Sequence, residues 1–439
     1  MNLARYLDKD DLEGLDEALR SLTAPQTATH LLRLPPGQRA VAFRLLPKDV
    51  ALTVFERFDS DSAAELLEGL REERTRELFE GLDPDDRVRL VDELPAAVVI
   101  RLLHGLDPHE RDMTEAVLGY PRESAGRRMT PEVASVPVDM TVAAALKHLR
   151  AVGAEAETIY MVPVLGPGRR LVGVVSLRGL LVADDRQIVG EIASSPIAVL
   201  AEADQEKAAR LIREHGMIGL PVVDREDRLV GVITVDDAMR ILAEEEAEDV
   251  ARSAGTFVVR SHYLSTPLVA RVTSRIVWLL VLIAAATLTV NVLHYFEQTL
   301  SEVVALALFV PLLIGTGGNA GSQTVTTVVR ALSTDEVGFA DLWRIVGREL
   351  LTGLGLGVVL GVVGFLPAWF VAGPAIATVL AISLVAVCTL ATTVGAVVPV
   401  IAGRLGVDPA VVSAPFITTI VDATGLVVYF LVARAVLGV

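Results

Sequence analysis

From Ile276 onward the sequence holds apolar runs too long and too free of charge to be packed inside a water-soluble domain. The first, IVWLLVLIAAATLTVNVLHYF (276–296), has no Asp, Glu, Lys or Arg, and its length is about that of a helix crossing a bilayer core. A second charge-free stretch covers 303–329. A third, 350–403, is long enough for two crossings with Gly373-Pro374 as the turn between them, and a fourth, 409–433, is interrupted only by Asp422. The pattern predicts five membrane helices, at about 276–296, 303–329, 350–372, 375–403 and 409–433.

Charge is distributed accordingly. Residues 1–250 hold 47 Asp and Glu against 30 Lys and Arg, and residues 251–439 hold 8 against 9, so the formal charge of −16 belongs to the front of the chain. An acidic soluble region repels nucleic acid and attracts cations where its carboxylates cluster, which excludes a DNA- or RNA-binding role. Cys388 is the sole cysteine, so no intrachain disulfide forms. The N-terminal MNLARYLDKDDLEGLDEALR lacks the apolar core of a signal peptide. Arg271, Arg275, Arg330, Arg344, Arg348 and Arg404 flank one end of the predicted helices, and the loops near Glu297 and Gly373 have no basic residue. By the positive-inside rule the soluble region is cytoplasmic, in a multi-pass protein of the inner or plasma membrane whose C-terminus lies outside. Arg434 runs against that rule.

Two features of the apolar half carry chemistry. An unpaired charge at Asp422, in PFITTIVDATGLVVYF, costs at least ~2.5–3.5 kcal/mol at the centre of a membrane helix, so this residue faces a pore, a cavity or a partner. GTGGNAGSQ (315–323) sets four glycines beside Asn319 and Gln323. Its glycines are expected to weaken the helix and free carbonyls toward a water-filled cavity. Small-residue helix packing explains the glycines but not the two amides.

The soluble half contains a repeat. MVPVLGPGRRLVGVVSLRGLL (161–181) and LPVVDREDRLVGVITVDDAM (220–239) align at an offset of 58 residues, each preceded by a helical stretch, 143–150 and 205–215. The pattern resembles a tandem pair of CBS domains, at 126–190 and 191–240. Ahead of it, residues 1–125 read as short helices restarted at Leu-Pro and Leu-Asp-Pro breaks, because proline is tolerated in a first helical turn and Asp caps one. Such stacked helices form an α-superhelical domain. After the repeat, MRILAEEEAEDVARSA opens an acidic connecting segment (241–270), where uncompensated carboxylates are expected to repel their surroundings until a cation bridges them. The membrane domain fills 271–439.

PLLIGTGGNAGSQ, RLGVDPAVVSAPFITTIVDATGL and VGVITVDDAMRILAEEEAEDV, in this architecture, resemble the MgtE family of magnesium channels over essentially the full chain. The resemblance implies a homodimer in the lipid bilayer, with a pore on its two-fold axis lined by the second and fifth membrane helices. Asp422 would bind hydrated Mg²⁺ there, helped by Asn319, Gly315 and Gly318. It further implies gating by intracellular Mg²⁺ at Asp85, Asp204, Glu206, Asp237, Glu245, Glu248, Asp249 on the connecting (plug) helix, and Asp408, high Mg²⁺ closing the pore. Thr53 stands where similar sequences can place a Glu. Some family members bind ATP in the CBS pair through an S/T-x-x-D ending, present here as Thr234 to Asp237 and absent at Ser176–Gly179. The alternative reading is a coupled secondary transporter or exchanger of divalent cations. An enzyme is not expected: the chain has no His-Glu-x-x-His pair, and only His294 lies near a predicted membrane helix.

Overall fold

The structure is a computed structural model that describes residues 3–9, 11–258, 266, 268–334 and 336–438. Part of the predicted connecting segment, 259–265 and 267, lies outside the described residues. The chain forms two compact units that divide between Glu245 and Glu246.

The first unit begins with ten short helices, α1 (Ala4–Leu7) through α10 (Pro108–Leu118). Three of them show how the chain makes this stack. LPPGQR (34–39), LDPDDR (82–87) and LDPHER (106–111) start α4 (Pro36–Arg44), α8 (Pro84–Val91) and α10 with a buried leucine, a proline at the first helical position and an arginine one turn on. In the second and third, the arginine turns back onto carbonyls around the end of the preceding helix. Arg39 donates to the Leu34 carbonyl at 3.3 Å and to the Ser62 carbonyl at 3.4 Å. Arg87 donates to Phe79 and Glu80, both at 3.0 Å, and Arg111 to Leu103 and Leu106, both at 3.0 Å. A cation at a helix C-terminus also opposes the helix dipole. Phe43, Phe55, Phe58, Leu66 and Phe79 lie in the shared core.

The CBS pair follows as two three-stranded sheets. In the first, β1 (Val136–Pro137) runs parallel to β2 (Met161–Leu165), which pairs antiparallel with β3 (Leu171–Ser176). In the second, β4 (Val199–Leu200), β5 (Gly219–Val223) and β6 (Leu229–Thr234) repeat that order. Val164 faces Gly173 and Val222 faces Gly231, so the offset of 58 holds down to the register and its bulge. The helices before the central hairpins are α11 (Val142–Val152) and α14 (Gln205–His215); α12 (Leu177–Val182) and α13 (Val189–Ile192) lie between the sheets in sequence. The last helix, α15 (Val235–Ser253), continues from the CBS pair through the acidic run and ends at Ser253.

The second unit is helical. Among the described residues four stretches are long and apolar enough to cross a membrane. α16 (Leu268–Tyr295) starts eight residues before the charge-free run, so Arg271 and Arg275 stand in its first two turns rather than ahead of it. The short α17 (Glu297–Glu302) leads to α18 (Val310–Ser333). α19 (Leu342–Arg404) has 63 residues, about 95 Å at 1.5 Å per residue, three times a bilayer core. It is two helices: Gly373, at φ 87°, is the single non-helical position inside it, a conformation that glycine adopts without steric cost. The arms run antiparallel, since a Cβ on Gly353 would meet Thr392, one on Gly357 Val385, and one on Gly361 Ala381. Small residues let their backbones touch. With α20 (Ala414–Leu437) the apolar helices among the described residues number five. α20 starts after a 3-10 turn over Pro409–Val411 rather than at 409.

Arg434 is explained by its contacts. Its Nε donates to Thr299 Oγ1 at 3.1 Å, and its guanidinium lies 4.8 Å from the centre of the Phe296 ring. It fastens α20 to the segment after α16.

Because Arg39 is fully buried and holds two carbonyls, Arg39→Ala lowers the stability of the soluble region by about 1.5–3 kcal/mol. Arg20→Ala, at an exposed ion pair, changes it by less than about 0.5 kcal/mol. Urea denaturation of both variants checks the contrast.

Candidate metal centre and pore

The first turn of α8 carries Asp85 and Asp86, where the helix N-terminus favours negative charge. They meet Asp237 from the first turn of α15. One carboxylate oxygen from each of the three lies within 4.8 Å of the others. Asp86 pairs with Arg89 and with Arg240, each at 3.0 Å, and Asp237 pairs with Arg240 at 3.0 Å and accepts from Thr234 Oγ1 at 2.8 Å. Asp85, which is half-buried, has no ion-pair partner among the described residues.

More carboxylates surround this group. Burial, then the charge of Asp237, Asp86 and Glu157, pushes the Asp85 carboxyl well above the usual range. Burial is also the main cause for Asp237 and for Glu157, each raised to about 7, and the neighbouring acids add to it. Glu56 rises to about 7 by burial and by the charges of Asp86 and Asp83. Asp83, Asp86 and Glu132 are raised for the same first reason. Eight acids, counting Asp236, gather here, and the ion pairs made to Asp86 and Asp237 come from Arg89 and Arg240. An octahedron of ~2.1 Å bonds sets its oxygens about 3–4 Å apart, so the hard, closely spaced oxygens of Asp85, Asp86 and Asp237 suit a small divalent cation directly or through water.

Other predicted regulatory residues lie elsewhere. Asp204 caps α14, accepting from the Glu206 N–H at 2.7 Å, and Glu206 pairs with Arg210 at 2.6 Å. The acidic run of α15 is partly compensated, contrary to expectation. Arg128 donates to Glu244 at 2.9 Å and to Gln205 at 2.7 Å, and Gln205 donates to Glu245 at 2.5 Å. In the second unit Arg252 binds both Glu248 and Asp408. Asp249, next to Glu248, also has an electrostatic contact. Arg128 and Gln205 lie far away in sequence and no local pattern announces them, whereas Arg252 stands one turn after Glu248 on the same helix.

In the membrane domain the Gly315–Gly321 segment stays helical, which corrects the expectation of a broken helix. Its glycines serve close approach: a Cβ on Gly317 would stand 2.6 Å from Val387, and one on Gly318 2.7 Å from Thr418 and 3.4 Å from Asp422 Oδ1. Ser322 and Thr418 hydroxyls lie 2.9 Å apart. α18 and α20 therefore touch beside Asp422, whose Oδ1 is buried without a hydrogen-bond partner among the described residues. Gly315, Asn319 and Gln323 occupy the side of α18 that the chain's own helices leave uncovered. The structure thus brings Gly318 to Asp422 and sets Gly315 and Asn319 on an open polar stripe.

Asp86, Glu56, Asp83, Glu132, Glu157 and Asp236 were not singled out from sequence. The Asp-Asp pair in LDPDDR was the visible signal; the rest are isolated acids that only folding assembles.

Known proteins bear on this arrangement. The MgtE divalent cation transporter domain matches residues 310–432, the MgtE intracellular N domain residues 22–123, and CBS domains residues 125–185 and 189–244. The magnesium transporter MgtE of Thermus thermophilus is 38% identical over 444 residues, covering 100% of this chain and 98% of that protein. The chain belongs to the MgtE family. The MgtE proteins of Enterococcus faecalis, 37% identical over 72% of this chain and 70% of the relative, and Bacillus subtilis, 32% over 80% and 78%, are also similar. The crystal structure of an MgtE cytosolic domain in complex with ATP is 37% identical, covers 55% of this chain and 98% of its own, and superimposes with a TM-score of 0.51. MgtE membership makes this an integral membrane protein of a transporter family, and the fold is that of its α-superhelical, CBS and membrane-helical parts.

Carboxyls raised by burial bind more protons folded than unfolded. Without divalent cations, stability is therefore lost as pH rises from about 4 through about 7. Thermal unfolding of residues 1–256 in EDTA is expected to show a lower Tm at pH 8 than at pH 5.5. Stabilisation by millimolar Mg²⁺ is expected to be larger at pH 8.

Proposed function

We propose that the chain carries Mg²⁺ through a channel-type pore and that carboxylates of its cytoplasmic region close that pore when intracellular Mg²⁺ is high. The observation that carries the transport reading is Asp422: a carboxylate oxygen buried in an apolar helix without a partner, against a glycine face of α18. A charge kept at that depth needs a counter-ion or water. The relatives named as magnesium transporters, one of them matched over the full length, support Mg²⁺ as the ion. Mg²⁺ sheds water reluctantly, so Asp422 holds it through its hydration shell and lets it leave. Asn319 and Gln323, with the Gly315 and Gly318 backbone, offer further oxygens along α18.

The open polar stripe on α18 supports a homodimer, because an amide facing lipid is costly and a second copy across a two-fold axis would enclose it in a water-filled path. The arginine distribution supports a cytoplasmic soluble region and an external C-terminus.

Closure follows from the repulsion within the acidic group. Two carboxylates about 4 Å apart repel by ~4 kcal/mol at an effective dielectric of 20. Arg89 and Arg240 offset part of this cost at Asp86 and Asp237, and a divalent cation among the three carboxylates would offset the rest. We include Asp86 with the residues inferred from sequence. Asp204, Glu206, Glu245, Glu248, Asp249 and Asp408 remain in the proposed regulatory set, through α14, α15 and the loop before α20. ATP binding by the CBS pair rests on Thr234 and Asp237 and on the ATP-bound relative; Asp237 would then answer to both nucleotide and cation.

A magnesium-uptake-deficient bacterial strain expressing this chain is expected to grow in low Mg²⁺, and the Asp422→Ala form is expected to fail at equal membrane abundance. Full rescue by the alanine form would remove Asp422 from the pore. Asp85→Asn is expected to raise the cytoplasmic Mg²⁺ needed for half-closure about tenfold, the loss of one charge-assisted contact of ~1.5 kcal/mol, measured in excised patches.

A further inference from the structure

The second unit contains an ion-pair arrangement that metal-dependent closure does not require. Glu248, on α15, and Asp408, in the loop before α20, are separated by 160 residues, and the Arg252 guanidinium binds both. Two further contacts fix the end of α15 to the start of the membrane helices. Gly255, with φ 67°, packs where a Cβ would stand 3.5 Å from Ser413 Oγ and 3.7 Å from Pro415 Cγ. Ser413 is the N-cap of α20 and accepts from the Phe416 N–H at 3.4 Å. The Phe257 N–H donates to the Ser274 carbonyl of α16 at 3.0 Å, and the Phe257 ring lies 6.4 Å from that of Trp278. The segment after α15 is thus seated on the first turns of both α16 and α20, and α20 carries Asp422 nine residues beyond its cap.

We propose that Arg252 is a tethered cation that latches the end of α15 to the entrance of the pore helix α20, holding between Glu248 and Asp408 the place a divalent cation would otherwise take. This inference rests on the gating function proposed above. Its chemistry is that of charge substitution. A guanidinium presents several donors in a rigid fork and stays protonated at any physiological pH, so it neutralises two carboxylates from two elements without a metal. A divalent ion brings one more positive charge and a compact octahedral shell, and it must displace Arg252 to use the same oxygens. Two consequences follow. The closed contact keeps a part that is independent of intracellular Mg²⁺, and the affinity of Glu248 and Asp408 for Mg²⁺ is lowered by an internal competitor.

Arg252 can be tested in the full-length protein by recording excised patches while cytoplasmic Mg²⁺ is varied from none to tens of millimolar. Arg252→Gln is expected to raise the open probability in the absence of divalent cations roughly two- to fivefold, the range set by a half-exposed ion pair. Its Mg²⁺ dependence is expected to become steeper, with closure at saturating Mg²⁺ retained. Arg252→Lys, which keeps the charge and loses the fork, should fall between the two, and the exchange Arg252→Asp with Asp408→Arg should restore the wild-type value without Mg²⁺. If wild type closes with Mg²⁺ and Arg252→Gln matches it at every concentration, the latch is wrong and the gating function stands. If wild type itself ignores Mg²⁺, it is the gating function that fails; the latch then survives only if Arg252→Gln still opens the pore and the exchange still reverses it, and is overturned if they do not. Should Arg252→Gln not reach the membrane, the lysine and exchange forms decide, since a latch requires the exchange to recover what Arg252→Asp alone loses.

Discussion

Carboxylates placed close together, out of water and short of positive charge, repel, and much of this protein is organised around that repulsion. Asp85, Asp86 and Asp237 bring three oxygens within 4.8 Å of one another while Glu56, Asp83, Glu132, Glu157 and Asp236 press from the sides. Two arginines, Arg89 and Arg240, bind Asp86 directly. Folding therefore proceeds against an electrostatic cost that the helix N-terminus of α8 and the surrounding packing offset only in part. This imbalance is what supports the proposed cation site. The same constraint recurs in the membrane domain, where Asp422 is kept in an apolar helix without a hydrogen bond to one oxygen.

Arginine marks where the chain neutralises charge for itself. Arg39, Arg87 and Arg111 close the helical stack by covering carbonyl ends, and Arg128 ties Glu244 to the CBS pair. Arg252 joins Glu248 to Asp408. These are permanent partners with fixed geometry. In the acidic group, Arg89 and Arg240 reach Asp86 and Asp237, and Asp85 is left without an ion pair among the described residues.

Much of the architecture was legible from the sequence because its signals are local or periodic. Charge-free runs give membrane helices, the offset of 58 gives two superimposable sheets down to Val164–Gly173 and Val222–Gly231, and Leu-x-Pro breaks give helix starts. Helix ends were less legible: α16 begins inside a charged segment because arginine side chains in a first turn can reach water past the apolar surface. The glycines of Gly315–Gly321 were misread as helix breakers because their purpose, the approach of α20, lies about a hundred residues away. The acidic cluster was half legible for a similar reason. Asp85 and Asp237 are brought together by folding across 152 residues, and the company of Glu157 and Glu56 is visible only in three dimensions.

The central claim is that a cation passes through a pore beside Asp422 and that the acidic cytoplasmic region closes it. Single-channel recording of the full-length chain, with Mg²⁺ as the sole permeant cation, tests it most directly. The account predicts resolvable unitary inward currents that disappear as cytoplasmic Mg²⁺ is raised to tens of millimolar and are absent from Asp422→Ala. Mg²⁺ uptake that proceeds without unitary currents and follows an opposing proton or cation gradient would contradict it.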